Sequence, residues 1–346
     1  MTTALDEPPA TAAPERRGDA RGLADTVFRA REISIGGALV LLILGTWIAN
    51  PSFLDGQGVK DLLLNASILV LLAVGQSVVV VTRNIDLSVG SVVGLTAFTC
   101  GDFVSGSSHG PVATMLLGIA VGALCGVVSG ALVSIGKVPA LVVTLGMLYV
   151  LQGVDYALAD GGQINAVNLP EPVLTLGSGS VLGIPYLPLI AALVLAATAY
   201  FLRTYRSGRE LYAIGSSPEA ARLAGIPIRR RVLAAYVFSG AVAGLAGALW
   251  LARFGTVVAG AASGWELTVV SAVVVGGVAI TGGTGSVWGA ALGALLLTTI
   301  SGALVVLKVD PFWEQAITGA LLILAITADR VVQVRTTNAL RKRNRR

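Results

Sequence analysis

Charge is what this sequence has least of. Only 12% of its 346 residues are Asp, Glu, Lys or Arg, about half the share of an ordinary soluble domain. Histidine occurs once, at His109, which excludes a histidine-built metal cluster and a histidine-based catalytic triad. Cysteine occurs twice, at Cys100 and Cys125. Both fall in apolar segments, so they read as small packing residues, and no disulfide framework is implied. The glycine-rich run 282–286 lacks the lysine that would bring a positive charge to a phosphate. Nothing in this inventory supports an enzyme. Transport, channel activity or a structural role remain.

What the chain has instead is hydrocarbon. It is 55% hydrophobic with a mean hydropathy of +0.82 and 43 glycines, as expected where helices approach closely in lipid. The apolar runs reach membrane-spanning length, so the expected fold is an all-α, polytopic membrane bundle. Spans are expected near 34–49, 62–81, 88–104, 112–135, 140–158, 184–202, 232–251, 263–281, 286–307 and 312–328, about ten in all. Residues 1–32 are Pro/Ala-rich without an apolar face and read as a disordered cytoplasmic tail; 33–330 form the transmembrane domain, and 331–346 a basic cytoplasmic tail. No cleavage site follows the first apolar run, which is read as a retained helix.

Alternating sides from a cytoplasmic N-terminus leaves only Lys60, Arg253 and Lys308, of 24 lysines and arginines, outside. Both termini and the polar loop 203–231 then lie in the cytoplasm. The net charge of +5 follows from this topology, because the basic residues sit in loops and tails; nucleic acid is not implied.

The loop 203–231 is the longest polar interruption. Within it Ser216 is expected as the N-cap of a short helix, with Pro218 in the first turn and Glu219 closing a capping box. Gly225 then ends the helix and Pro227 prevents its resumption. A helix of two turns needs a surface to lie on. The segment reads either as a solvated connection or as a docking helix for a partner protein.

Polar groups inside apolar spans are the other signal, since each must be paired or face water. Asn65 and Gln76 lie in the second span; Asp86 and Ser88 follow it; Thr144 and Gln152 lie in the fifth. Asp86 or Ser88 caps the third span, or belongs to a broken helix lining a pathway. Thr144 and Gln152 bond between helices or face that pathway. Ile85, Gly90, Ser91, Val92 and Gly94 also match Ile280, Gly285, Ser286, Val287 and Gly289 at a constant offset, a faint internal echo.

Four motifs occur in order: IDLSVGS at 85–91, KVPALVVTLG at 137–146, SPEAARLAGI at 217–226 and TGGTGSVWGAALGALL at 281–296. Together they resemble the ribose/xylose/arabinose/galactoside permease family of ABC importers. The resemblance implies a permease subunit that translocates a monosaccharide or similar small polyol-like solute, with an extracytoplasmic sugar-binding protein, a separate ATPase that binds the ATP, and a second permease copy or paralogue. The chain itself is then expected to hold no cofactor and no metal. The Glu219-Ala220-Ala221 pattern followed by Gly225 is similar to the family's coupling motif, making Ser217, Glu219, Ala220, Ala221, Arg222 and Gly225 the candidate ATPase-coupling residues. Asn65, Gln76, Asp86, Ser88, Thr144 and Gln152 are the candidate pathway residues. The family often has glycines where this chain has Arg83 and Asn84, a form more similar to its rhamnose and autoinducer-2 branch. The rival reading is an ATP-independent carrier or channel for a small neutral solute. Acidic residues deep in spans are scarce for a proton-coupled carrier, with Asp155 the main exception.

Overall fold

The computed structural model describes residues 19–310 and 312–343. In chain order its α-helices are α1 (Asp19–Ala49), α2 (Gly56–Val81), α3 (Val89–Val104), α4 (Pro111–Ser134), α5 (Ala140–Ala159), α6 (Glu171–Ser178), α7 (Tyr186–Thr204), α8 (Arg206–Ser216), α9 (Pro218–Leu223), α10 (Ile228–Phe254), α11 (Trp265–Val275), α12 (Val287–Val306) and α13 (Phe312–Arg343). Helices α1, α2, α4, α5, α7, α10 and α12 contain stretches long and apolar enough to cross a membrane. Shorter apolar helices are α3, α11 and the first half of α13. All ten expected apolar segments are therefore helical, in an all-α polytopic membrane bundle.

Three expectations change. The span expected over 263–281 is split, because α11 ends at Val275 and 276–286 is not helical. Glycines concentrate there, and Gly277, Gly282, Gly283 and Gly285 all take positive φ, which a continuing helix cannot accommodate. Within 203–231 the sequence reading missed α8, whose buried face carries Leu211, Ile214 and Gly215. Of the expected tails, 1–18 and 344–346 lie outside the described residues, whereas α1 is already helical from Asp19 and α13 continues to Arg343.

Helix α2 is the axis of the bundle. Every residue from Ala66 to Val81 is buried, as suits a helix that is apolar on all faces. α10, α12, α7 and α11 surround it. The most extensive helix contact is between α4 and α10. Gly118, Gly122, Gly126 and Gly130 recur every four residues and so share one face of α4. A Cβ at Gly122 would land on the carbonyl oxygen of Gly240, one at Gly240 on that of Gly122, and one at Gly244 on that of Gly118. The two backbones touch directly, which small residues at such spacing permit in lipid. α11 and α12 repeat the device with Gly276 against Gly289, and Gly293 against Ala272.

At the end of the bundle opposite α8 and α9, the helix α6 lies across the end of α10, with Gly177 against the Ala252 carbonyl. Strand Gln163–Ile164 pairs antiparallel with Val257–Val258. That pairing anchors the segment between α10 and α11.

Gly240→Leu should overpack the α4–α10 contact and cost about 1–3 kcal/mol or more. Gly153→Ala, where a Cβ meets nothing within 4 Å, should be neutral. Thermal denaturation of the detergent-solubilised protein, followed by size-exclusion chromatography, should show a clear loss for the first variant alone.

Candidate coupling surface and transmembrane polar sites

Helix α9 has both ends closed. Its N-cap is Ser217, whose hydroxyl accepts the Ala220 N–H at 3.3 Å. The expected box between Ser216 and Glu219 is not formed. Ser216 completes α8, and the extended backbone needed at an N-cap falls one residue later, at Ser217. At the other end Gly225 takes φ +74°, its N–H donates to Arg222 O at 3.0 Å, and the Ile226 N–H donates to Ala221 O at 3.0 Å. These are the two bonds of a Schellman turn. Ala221 is buried beneath the helix, while Glu219, Ala220 and Arg222 are exposed. Leu223 is 91% exposed.

At the N-terminal end of α9 lies a junction of three chain segments. Gly215, at the end of α8, abuts Val81 O and Gly283. The Gly283 N–H donates to Val81 O at 2.9 Å. Arg83 reaches across with its Nε on Gly215 O and an Nη on Ser216 O, the latter at 2.9 Å. These carbonyls belong to the C-terminal turn of α8, where a cation is favoured. Arg83 itself sits at φ +67°, a left-handed conformation that glycine adopts most easily. This explains why the family pattern often has glycine here, and it was the available signal for a residue whose role the sequence reading did not identify. Tyr212 OH donates to Gly285 O at 3.1 Å, and burial pushes its pKa up to about 12, so it remains a neutral donor. The end of α2, the break before α12 and the end of α8 are thus bonded to one another where α8 leads into α9. The two halves of the sequence echo, 85–94 and 280–289, both begin at this junction.

α8 is fastened at its other end by a carboxylate. Glu210 accepts from Arg206 Nε at 2.9 Å and from Arg231 Nε at 2.6 Å. The Arg231 hydrogen bond, helped by Arg206, holds the Glu210 carboxyl below its ordinary 4.5 despite the opposing effect of burial.

From the junction the chain re-enters the bundle. Gln76 lies five residues before the end of α2, about 7.5 Å inside it, and Asp86 is brought alongside. With the Gln76 amide oriented to satisfy both neighbours, it donates to Asp86 O at 3.1 Å and accepts from Asp86 N at 3.2 Å. Asp86 Oδ1 takes the Ser88 N–H at 3.0 Å and its hydroxyl at 2.6 Å. Ile85 O accepts from Thr144 Oγ1 and Tyr236 OH, both at 3.3 Å. Four of the six candidate pathway residues, Gln76, Asp86, Ser88 and Thr144, therefore gather around one buried break between α2 and α3. The link between α2 and α3 is non-helical and buries Asp86 and Ser88; Ser88 is the N-cap residue of α3 but makes no side-chain capping bond.

The other two lie elsewhere. Gln152 donates to Ser263 Oγ at 3.1 Å, holding the segment that leads into α11. Nearby, Asp155 Oδ2 accepts the Gly260 N–H at 2.8 Å. Asn65 lines a cavity of about 570 Å³ with Asp61, Arg253, Trp265, Ser301 and Glu314. In it Arg253 pairs with Asp61 at 2.6 Å and Ser301 donates to Glu314 at 2.5 Å. Aromatic rings beside carboxylates and hydroxyls, in a space of this size, are what a small polar ligand requires. Among the described residues no cluster of His, Cys, Asp and Glu is placed to hold a metal.

Comparison with known proteins decides the class. The family described as branched-chain amino acid transport system / permease component matches residues 58–326. The chain belongs to that permease family. It is 35% identical over 305 residues to the autoinducer 2 import system permease protein LsrC of Enterobacter sp. (strain 638), covering 88% of each chain. It is 33% identical to the probable ABC transporter permease protein y4mJ of Sinorhizobium fredii, over 86% of this chain and 89% of that one. It is 32% identical to the ribose import permease protein RbsC of Escherichia coli K12, over 84% of this chain and 91% of that one. No solved structure matches. The resemblance to ABC-importer permeases read from the four motifs is thereby shown: this is a multi-pass inner-membrane permease, and its relatives are permeases, not enzymes.

Two outcomes follow from this geometry. Gln76→Leu strands the Asp86 peptide inside the bundle and should cost about 1–3 kcal/mol, read as a lowered melting temperature. The contribution of Glu210 is present above its ordinary 4.5 and is lost as pH falls through the lower folded value. Glu210→Gln should therefore melt earlier than wild type at pH 7 and show a shallower loss on acidification below about pH 4.5.

Proposed function

We propose that the chain is the membrane-spanning subunit of an ATP-binding-cassette importer that carries a monosaccharide or similar small polyol-like solute into the cytoplasm, driven by a separate ATPase. Two observations support the substrate class. Relatives are named for ribose and autoinducer 2 import, and the cavity around Asn65 offers aromatic faces with carboxylate and hydroxyl partners. The partners in this reading are an ATPase, an extracytoplasmic binding protein and a second permease copy or paralogue.

The observation that carries the mechanism is the exposed helix α9 joined at its start to a bonded junction. Ser217 and Gly225 fix its ends, so that Glu219, Ala220, Arg222 and Leu223 form a small stiff surface, with Leu223 as an apolar anchor for a groove on the ATPase. Ala221 acts from beneath, as the contact onto the permease itself. A push on α9 passes to the end of α8, and from there through Arg83, Val81 and Gly283 to the helix breaks beside α2 and α12. The solute path then changes access where helices are already interrupted. Asp86, Gln76 and Thr144 serve this path by holding the break, and Asn65 by contacting solute.

In this reading α8, α9 and both termini face the cytoplasm. Leu223→Cys should resist an impermeant thiol reagent applied to intact cells, whereas Val167→Cys, at an 89% exposed site on the opposite end, should react; the reverse pattern contradicts the orientation. Gly225→Pro removes the positive φ and the N–H donated to Arg222, and Leu223→Asp removes the apolar anchor. Each variant should reach the membrane at wild-type abundance yet recover less ATPase in a pull-down and lower solute uptake at least several-fold. Full recovery of the ATPase by both variants would sink the docking assignment.

A further inference from the structure

A second cavity, of about 350 Å³, opens between α7 and α10 and is unrelated to the Asn65 cavity. Thr198 and Phe201 of α7, Ala234 and Phe238 of α10, and Val78 of α2 form its walls, and Leu211 of α8 covers part of it. The wall is almost entirely hydrocarbon, so water gains nothing by entering, and leaving it empty forfeits dispersion contacts along every wall. Its position beside the last turns of α7 and the first turns of α10 places it at the level where spans end.

The mouth of this cavity is built differently. Arg231 lies on its rim, and Glu210 holds Arg231 and Arg206 together by using both carboxylate oxygens, one on each Nε. Each guanidinium is oriented through Nε alone, and no Nη of either has a partner among the described residues. The side chain of Arg206 is 84% exposed and that of Arg231 is 31% exposed. Two cations against one anion leave a net charge of +1 at the rim, and the exposed Arg203, Arg209 and Arg230 lie next to these residues in the chain. Guanidinium groups bind phosphate oxygens through parallel N–H donors.

We propose that this is a binding site for one anionic phospholipid, its acyl chain in the α7–α10 cavity and its phosphodiester on the Arg206–Arg231 pair. The two chemistries match the two parts of a single ligand: a hydrocarbon slot, and at its rim a cationic pair whose net charge of +1 complements a monoanionic phosphodiester. A lipid with a cationic headgroup brings the same phosphate but sets its ammonium against a field of arginines. Because Leu211 and Glu210 belong to α8, the bound lipid also steadies the helix that leads into α9.

The experiment is native mass spectrometry of the full chain released from nanodiscs of equal phosphatidylglycerol and phosphatidylcholine. Wild type should retain one phosphatidylglycerol per chain, about tenfold more often than phosphatidylcholine. Arg206→Gln, at an exposed site that leaves the Arg231–Glu210 bond in place, should reduce that preference about fivefold with an unchanged melting temperature. Ala234→Phe fills the slot and should abolish retention of either lipid. Equal retention of the two lipids by wild type, undiminished retention by Ala234→Phe, or a disulfide between two copies of an Ala234→Cys variant, which would show that a second chain fills the slot, overturns the proposal.

Discussion

A backbone that stops being helical where the protein buries it must find its hydrogen bonds within the protein, and this requirement organises the molecule. The chain breaks between α2 and α3, between α10 and α11, and between α11 and α12. At the first, Gln76 answers both polar atoms of the Asp86 peptide, and Thr144 and Tyr236 answer Ile85 O. At the second, Asp155 answers Gly260 and Gln152 holds Ser263. At the third, Gly283 bonds Val81 and Tyr212 bonds Gly285. The amide and carboxylate side chains Gln76, Gln152 and Asp155 bond at these breaks, whereas serines and threonines such as Ser67, Thr96, Thr198 and Thr299 bond carbonyls of their own helices.

Glycine makes the arrangement sterically possible in two distinct ways. In α4, α10 and α12 it is absence of volume that matters, since a Cβ at Gly122, Gly244 or Gly293 would strike a neighbouring carbonyl. In the break before α12 it is conformational range, with Gly282, Gly283 and Gly285 at positive φ. Close packing fixes helices as rigid units, and the breaks are where such units can shift relative to one another. The proposed coupling uses that division: α9 follows directly on Ser216, which joins the point where two breaks meet.

Much of this was legible in the residues. Ten apolar runs gave ten helices because a span's composition overrides local propensity, and Gly225 was identifiable as a helix stop because only glycine readily takes the C′ conformation. The misses have definite causes. α8 was hidden because its polar residues outnumber the buried Leu211 and Ile214, and its packing partner is more than a hundred residues away, at Val81. The N-cap was misplaced by one residue because two serines adjoin, and only backbone conformation separates Ser216 from Ser217. The run 263–281 was read as one span because valines on either side of Gly276-Gly277 mask a break. Gln76 and Asp86 were both recognised as candidates, but their pairing is a contact between α2 and the segment after it that no periodicity encodes. The roles of Arg83 and Glu210 are likewise tertiary.

The claim on which the proposed mechanism depends is that Arg83 transmits force between α9 and the helix breaks. Arg83→Gln retains a side chain at the same left-handed backbone position but removes the guanidinium that joins Gly215 and Ser216 to the end of α2. The direct measurement is solute transported per ATP hydrolysed by the reconstituted assembly. The account predicts that ATPase recruitment and hydrolysis persist while transport per ATP falls several-fold. A ratio equal to that of wild type would contradict it.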